Sequence, residues 1–256
     1  MKVRFSAKQV SFFLGAAAIF FAFVFAVQTT GAYAVFFGGT VRSIPIYCVQ
    51  RDDKKIAITF DCAWGVEYTD QILDALEKNE ATATFFMVQF WTEKYPEYVK
   101  KIDEAGCAIG THSATHSYMS KQKEEEIRRE LTASSEAITK ITNKKVDLFR
   151  PPYGDYDDLL VDTAKELGYY TIQWDVDSLD WKDLSATDIA LRIVNNVKDG
   201  SIILCHNNGL HTAESLPLVL STLKNKGYTF VTVEDLIYRE NYVIDATGKQ
   251  IPNEEV

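Results

Sequence analysis

Residues 56–64 read IAITFDCAW, and this stretch decides the fold. Its first five residues are apolar or β-branched, which is typical of a strand buried on both faces of a parallel sheet. Asp61 follows at the point where the strand should end and the chain should turn. Ligands of parallel sheets bind at the carboxyl ends of the strands, so a carboxylate here faces a candidate site. Asp61 is therefore the first candidate for a catalytic residue; an aspartate that only opens a turn is the alternative.

Strand and helix patterns alternate over the rest of the chain. Seven strand-like stretches, among them residues 56–60, 169–176 and 228–233, are separated by segments with helical periodicity such as residues 91–104. This alternation predicts an α/β protein with a mostly parallel sheet, for which a barrel and an open doubly wound sheet both fit. No glycine-rich loop of the dinucleotide or P-loop type follows any strand, so a nucleotide partner is not expected.

Composition narrows the class of partner. The chain has 256 residues and a formal net charge of -9, which leaves no basic excess to neutralise phosphates and argues against a nucleic-acid partner. Its four cysteines are few for a disulfide-stabilised protein of this length. Cys107 and Cys205 lie inside apolar strand-like stretches, so we expect both to be buried thiols.

The first forty residues differ from the rest. Basic residues within the first eight precede an uncharged apolar run over residues 10–27, close to the roughly 20 residues that cross a bilayer. The basic flank places the N-terminus in the cytoplasm and the bulk of the chain outside. The sequence AYA at residues 32–34 resembles a signal-peptide cleavage site. We expect an extracytoplasmic protein, either membrane-anchored by this single N-terminal transmembrane segment or secreted after cleavage near Ala34.

The predicted organisation has four parts. Residues 1–38 form a cytoplasmic stub with the anchor or signal segment, and residues 39–54 form a linker. Residues 55–240 form one α/β domain. Residues 241–256 form a polar tail that we expect to be loose.

Side chains capable of chemistry follow successive predicted strands. Because the carboxyl ends of parallel strands meet at one rim, we expect these side chains to share a site. A lone histidine is more often structural than functional, so the grouping carries the inference. In strand order the residues are Asp61, then His112 and His116, then Arg150 and Tyr153, then Asp177, Asp180 and Trp181, and finally His206.

Part of this set fits metal-assisted hydrolysis of an amide or an ester. Two histidines with three residues between them, His112 and His116, can hold one zinc-like ion through imidazole nitrogens. Such an ion polarises a carbonyl and lowers the pKa of bound water. Asp61 could then act as general base on that water, and Arg150 beside it would keep the carboxylate ionised.

The other half of the reaction needs a proton donor. His206 titrates near neutral pH and could protonate a leaving group. Asp180 could fix the tautomer of that imidazole. Base, metal ligands and acid together are the groups that hydrolysis of an amide requires.

Five ordered motifs resemble those of the polysaccharide deacetylases, the NodB-homology domain of carbohydrate esterase family 4. The first motif, with its continuation CAWG, looks most like that of the sporulation-type, PdaB-like members. The motifs are TFD at residues 59–61, HSATHS at 112–117, RPPY at 150–153, DSLDW at 177–181 and LCH at 204–206.

The resemblance implies a distorted (β/α)7 barrel that removes N-acetyl groups from amino sugars of peptidoglycan or a chitin-like polymer. It implies a cell-wall glycan as partner, one divalent metal ion, zinc or cobalt, and by analogy a role in sporulation. The roles implied are general base for Asp61, metal ligands for His112 and His116, holder of the base for Arg150, oxyanion donor for the backbone N–H of Tyr153, general acid for His206, tuning of that acid for Asp180, and lining of the acetyl pocket for Trp181 and Leu204.

The first motif departs from the family pattern at Cys62. The usual sequence is Asp-Asp-Gly, in which the second Asp is the third metal ligand. Cys62 could be a thiolate ligand in a His-His-Cys site, or a small buried residue beside a metal held weakly by two histidines. In a third reading the site is catalytically silent, and the fold serves as a wall-binding or structural protein. The match at every other position favours an enzyme.

Overall fold

A computed structural model describes residues 42–253 of the chain. The predicted anchor or signal segment falls within residues 1–41 and lies outside the described residues. Within residues 42–253, none of the helices is both long enough and apolar enough to cross a bilayer.

The strands of the described part form two sheets. In chain order the strands are β1 (Cys48–Val49), β2 (Lys55–Cys62), β3 (Thr84–Met87), β4 (Ala108–Thr111), β5 (Leu148–Phe149), β6 (Tyr170–Thr171), β7 (Val176–Asp177), β8 (Ile202–His206), β9 (Thr229–Phe230), β10 (Tyr242–Ile244) and β11 (Lys249–Pro252). Strands β2 to β9 form one sheet with the spatial order β6-β5-β4-β3-β2-β8-β7, and β9 pairs with the start of β2. Every pairing in this sheet is parallel.

The parallel sheet is an open half-barrel. Its end strands β6 and β7 do not pair with each other within residues 42–253. The predicted α/β class with parallel strands is confirmed; in place of the predicted distorted (β/α)7 barrel, the strands form a half-barrel that does not close. The stretch at 169–176, predicted as one strand, is divided into β6 and β7, and Ile172 between them forms an isolated parallel bridge with Ile46.

Helices connect the parallel strands. The helix predicted over residues 91–104 is two helices, because Pro96 cannot donate a backbone hydrogen bond and instead occupies the first turn of a new helix. The helices are α1 (Thr69–Lys78), α2 (Gln89–Lys94), α3 (Pro96–Glu104), α4 (Glu124–Thr142), α5 (Asp158–Glu166), α6 (Ala186–Asn196), α7 (Thr212–Asn225) and α8 (Val233–Leu236).

Strand β2 lies at the centre of the sheet and sends alternate side chains to opposite faces. Ile58, Phe60 and Cys62 belong to the core between the sheet and its helices. Thr59 and Asp61 face the other way, toward the interior of the half-barrel, where both contact Arg150. This alternation separates Asp61 from its neighbour Cys62.

The four cysteines, all within the described residues, are free. Cys107 and Cys205 are buried, as predicted. Burial favours the neutral thiol and raises the pKa of both.

The second sheet contains parts of the predicted linker at residues 39–54 and of the predicted loose tail at 241–256, which are therefore paired strands. Strand β1, within the predicted linker, pairs in parallel with β11, and β11 pairs antiparallel with β10 in the predicted tail. Buried Gln250 accepts from the backbone N–H of Tyr238 at 2.9 Å and donates to its carbonyl at 2.7 Å. The polar sequence of residues 241–256 did not indicate strands. The β10–β11 hairpin forms a sheet because its backbone groups pair within the hairpin and with β1.

Candidate active site

A cavity of about 600 Å³ opens at the carboxyl ends of the parallel strands. Two predicted site residues do not line it: Arg150, which lies behind Asp61, and Cys62. The predicted residues that line it are Asp61, His112, His116, Tyr153, Asp177, Asp180, Trp181, Leu204 and His206.

Asp61 and Arg150 form a buried ion pair. Arg150 Nη1 donates to Asp61 Oδ1 at 2.8 Å and to Thr59 Oγ1 at 2.7 Å, and Nη2 donates to the carbonyl of Gln173 at 3.1 Å. Burial by itself favours the protonated carboxyl, but the positive charge of Arg150 and its hydrogen bond outweigh burial and hold the pKa of Asp61 below its ordinary value. The carboxylate is therefore ionised at neutral pH, as a general base requires.

His112 has a defined tautomer. Its Nδ1 lies 2.7 Å from the carbonyl oxygen of Arg150. A carbonyl only accepts, so Nδ1 carries the proton and Nε2 is left with its lone pair, 3.5 Å from Asp61 Oδ2. Burial lowers the pKa of His112 and keeps the ring neutral. A neutral imidazole with a backbone-bonded Nδ1 is the form in which histidine binds metals.

His116 lies beside His112, with 5.0 Å between the ring centroids. Its Nδ1 is 3.1 Å from the hydroxyl of Tyr153. Burial, followed by the interaction with His112, lowers the pKa of His116 to about 4. The structure thus brings two neutral imidazoles together at the pocket wall.

Cys62 does not join the two histidines. Its Sγ lies in the core between sheet and helices, 3.9 Å from the carbonyl oxygen of Phe60. Burial, followed by the charge of Asp61, raises the pKa of Cys62 well above its ordinary value, which favours the thiol over the thiolate. This geometry contradicts the reading of Cys62 as a thiolate ligand and supports the reading as a small buried residue.

The donor set therefore does not complete a metal site. Catalytic zinc usually has three protein ligands. Within residues 42–253, no group of three or more His, Cys, Asp or Glu side chains is spaced to hold a metal ion. His112 and His116 could supply two ligands, and Cys62, at the position where the family pattern has the third, is turned into the core.

His206 and Asp180 form the second polar pair of the pocket. Asp180 Oδ1 is 2.7 Å from His206 Nδ1, and Asp180 Oδ2 accepts from the backbone N–H of His206 at 2.7 Å and from Thr212 Oγ1 at 2.6 Å. Burial alone would lower the pKa of His206, but the hydrogen bond and charge of Asp180 outweigh it and raise that pKa. The imidazole therefore keeps its proton to higher pH than a free histidine.

Trp174 and Asn207 are among the residues in and beside the pocket that the sequence did not single out. Trp174 lines the pocket, and its ring centroid lies 5.6 Å from the guanidinium carbon of Arg150. Asn207 is buried and donates through Nδ2 to the carbonyl of Gly65 at 2.9 Å, which also accepts from Trp91 Nε1 at 2.7 Å. The position of Asn207 directly after His206 was an available signal. Trp174 had none, because it lies between strands without a motif.

Comparisons with known proteins agree with the geometry. The family model described as polysaccharide deacetylase matches residues 49–172. The chain is 37% identical over 194 residues to a peptidoglycan-N-acetylglucosamine deacetylase of Bacillus cereus, which covers 74% of this chain and 91% of the relative. It is 32% identical over 198 residues to the peptidoglycan-N-acetylmuramic acid deacetylase PdaA of Bacillus subtilis, covering 76% of this chain and 75% of the relative.

A solved structure with a similar fold belongs to a carbohydrate esterase family 4 pseudoenzyme from Bacillus anthracis. The TM-score is 0.74 at 30% sequence identity, and the alignment covers 83% of this chain and 74% of the other. The resemblance seen in the five motifs is thereby confirmed: the chain belongs to the polysaccharide deacetylase family.

Proposed function

We propose that this chain hydrolyses N-acetyl groups from amino sugars of a cell-wall glycan, peptidoglycan or a chitin-like polymer. Membership of the family supports the proposal, as do relatives named for deacetylation of peptidoglycan. The observation that carries it is the presence in one pocket of an ionised carboxylate, Asp61, and an imidazole of raised pKa, His206. Enzymes that cleave amides need such a separated base and acid.

The proposed reaction begins at Asp61. Its carboxylate takes a proton from water while the water oxygen forms a bond to the acetyl carbonyl carbon. Arg150 fixes one carboxylate oxygen through a 2.8 Å hydrogen bond and leaves Oδ2 for the water. The carbonyl oxygen becomes an oxyanion, which needs a preorganised donor.

Tyr153 is the proposed oxyanion donor through its backbone N–H. The residue lines the pocket and has a left-handed backbone, with φ 60°. A non-glycine residue in this conformation is held there by its surroundings, and such positions concentrate at functional sites. Trp181 and Leu204 line the same cavity and would surround the acetyl methyl group.

His206 completes the proposed reaction. As the carbon–nitrogen bond breaks, the imidazolium gives its proton to the departing nitrogen, which yields a free amino sugar and acetic acid; the acid then loses its proton to solvent and leaves as acetate. Asp180 keeps Nδ1 engaged, so Nε2 is the atom that delivers the proton. Exchange with solvent then removes the proton from Asp61 and restores that of His206.

The proposed metal ion, zinc or cobalt, would rest on His112 and His116. The described residues supply only these two side-chain ligands for it. We propose that affinity for the ion is correspondingly weak. A silent wall-binding protein is the second candidate function, and the incomplete ligand set favours it, as does the similarity to a pseudoenzyme.

Acetate release separates the two candidates. The full-length chain would be incubated with peptidoglycan glycan strands and with chitin oligomers, each with chelator, zinc or cobalt. We expect acetate that decreases with chelator and returns with metal. Glycan binding without acetate under any of these conditions would reject the deacetylase in favour of the silent protein.

The proposed location is outside the cytoplasmic membrane. The basic flank and the apolar run at residues 10–27 support it, as does a cell-wall substrate. Retention of the full-length chain in the membrane fraction of its host, against recovery of a chain cleaved near Ala34, distinguishes anchor from secretion. A role in sporulation stays a prediction from the resemblance.

A further inference from the structure

A row of aromatic rings runs along one wall of the pocket. Trp64 contacts His116 edge to face at 4.9 Å, and His116 contacts Tyr153 in the same way at 4.7 Å. Tyr153 stacks on Tyr118, with ring centroids 4.3 Å apart and an interplanar angle of 18°. Three of these rings are largely exposed: Trp64 by 56%, Tyr153 by 54% and Tyr118 by 50%.

The row continues beyond the catalytic cavity. Trp64, His116 and Tyr153 line the cavity, whereas Tyr118 does not. The surface that Tyr118 presents is therefore continuous with the site through Tyr153 but lies outside the space that holds the reacting group.

Tyr118 is held in place rather than free to turn. The next residue, Met119, is fully buried in the core cluster beneath α4 and begins a 3-10 turn. Lys121 Nζ lies 4.9 Å from the centroid of the Tyr118 ring, and Tyr153 stacks against the same ring. A fixed aromatic ring costs little conformational entropy on binding, which suits a recognition surface.

We propose that Tyr118, stacked on Tyr153, binds a second pyranose ring of the glycan chain whose acetylated sugar occupies the catalytic pocket. The proposal rests on the proposed function for the identity of the ligand. A pyranose ring has an apolar face of C–H groups and a polar rim of hydroxyls. The ring face that Tyr153 leaves uncovered complements the apolar face of the sugar when the flexible Lys121 side chain moves to the rim, where its ammonium and the phenol hydroxyl can hydrogen-bond the sugar hydroxyls. The site then selects a polymer over a single sugar.

Binding measured without turnover tests this inference. Asp61→Asn would be titrated with N-acetylglucosamine and with its β-1,4-linked tetramer, alone and combined with Tyr118→Ala, Tyr118→Phe or Leu218→Ala. We expect the tetramer to bind more tightly than the monomer. Tyr118→Ala should reduce that preference about fivefold, the scale of one aromatic contact. Tyr118→Phe keeps the ring and should retain most of the preference.

The control and the contrary outcomes are distinct. Leu218 is exposed by 48% on α7 and does not line the cavity, so its truncation should leave the preference intact. Equal loss of affinity for monomer and tetramer in Tyr118→Ala would show a structural role and overturn the inference. A tetramer that binds no better than the monomer, or that does not bind, would overturn it as well. These titrations measure binding and do not depend on acetate release. They therefore test the inference even if the deacetylase assay fails.

Discussion

Asp61 and His206 are register partners on the adjacent parallel strands β2 and β8. The backbone pairing of two central strands therefore sets the proposed base and acid side by side at one end of the sheet. Each is held from behind by a buried side chain of opposite charge: Arg150 for Asp61, and Asp180 for His206. Arg150 lowers the pKa of Asp61, and Asp180 raises the pKa of His206. A single pocket can therefore hold an ionised base and a protonated acid.

Replacing the base tests the assignment of Asp61. The amide in Asp61→Asn cannot take a proton from water, so we expect acetate release to fall by about 10²-fold or more while glycan binding persists. Initial rates of acetate formation and a glycan titration measure the two effects. Asp74→Asn, an exposed carboxylate on α1, is the matched control. Full activity in Asp61→Asn would remove Asp61 from the mechanism.

The pH profile tests the pairing of His206 with Asp180. The raised pKa of His206 means that the acid stays protonated above the ordinary histidine value of 6.5, and activity declines only as pH rises through this higher pKa. Asp180→Asn removes the charge that raises it, so the alkaline limb of kcat/KM should move to lower pH. Profiles of both proteins from about pH 5 to about pH 10 provide the comparison. An unmoved alkaline limb would mean that another group supplies the proton.

Metal titrations test the orientation of Cys62. Its thiol lies in the core, so Cys62→Ala should leave zinc affinity unchanged. His116→Ala removes one of the two imidazoles and should weaken zinc binding by at least about tenfold. Calorimetric titration of the folded proteins measures both. A tenfold loss of affinity in Cys62→Ala would show that the thiol reaches the ion.

Unfolding experiments test the buried ion pair. Arg150→Met leaves the Asp61 carboxylate buried without its partner and should lower the free energy of unfolding by about 3–5 kcal/mol. The double variant Arg150→Met, Asp61→Asn should recover part of this loss, because a neutral amide needs no counter-charge. Urea unfolding of the two single variants and the double variant completes the cycle. Strictly additive losses would show that the two side chains do not stabilise each other.

Truncation tests the second sheet. Deleting residues 241–256 removes β10 and β11, exposes β1 and breaks both hydrogen bonds of Gln250 to Tyr238. We expect a lower Tm by several degrees in thermal unfolding. Val243→Ala, which shortens an exposed side chain on the same hairpin, should have little effect. An unchanged Tm after truncation would restore the view of this segment as a loose tail.

Sequence alone determined the class of fold and predicted most of the polar side chains that line the pocket. The alternation of apolar strands with helical periods required a parallel sheet, since each buried strand must be followed by a helix that returns the chain. That geometry gathers residues such as Asp61, His112 and His206 at one rim, whatever the details of packing. The sequence also predicted correctly that Cys107 and Cys205 are buried thiols.

Tertiary structure decided what local patterns do not encode. Whether Cys62 faces the histidines depends on which side chains of β2 point to which face of the sheet. Asp61 points into the half-barrel, so the next side chain, Cys62, points into the core. The pairing of β1 with β11 joins segments about two hundred residues apart in the sequence. The aromatic row from Trp64 to Tyr118 likewise joins loops after different strands. Sequence periodicity fixes what each segment becomes, but contacts between distant segments form only when the sheet places them together.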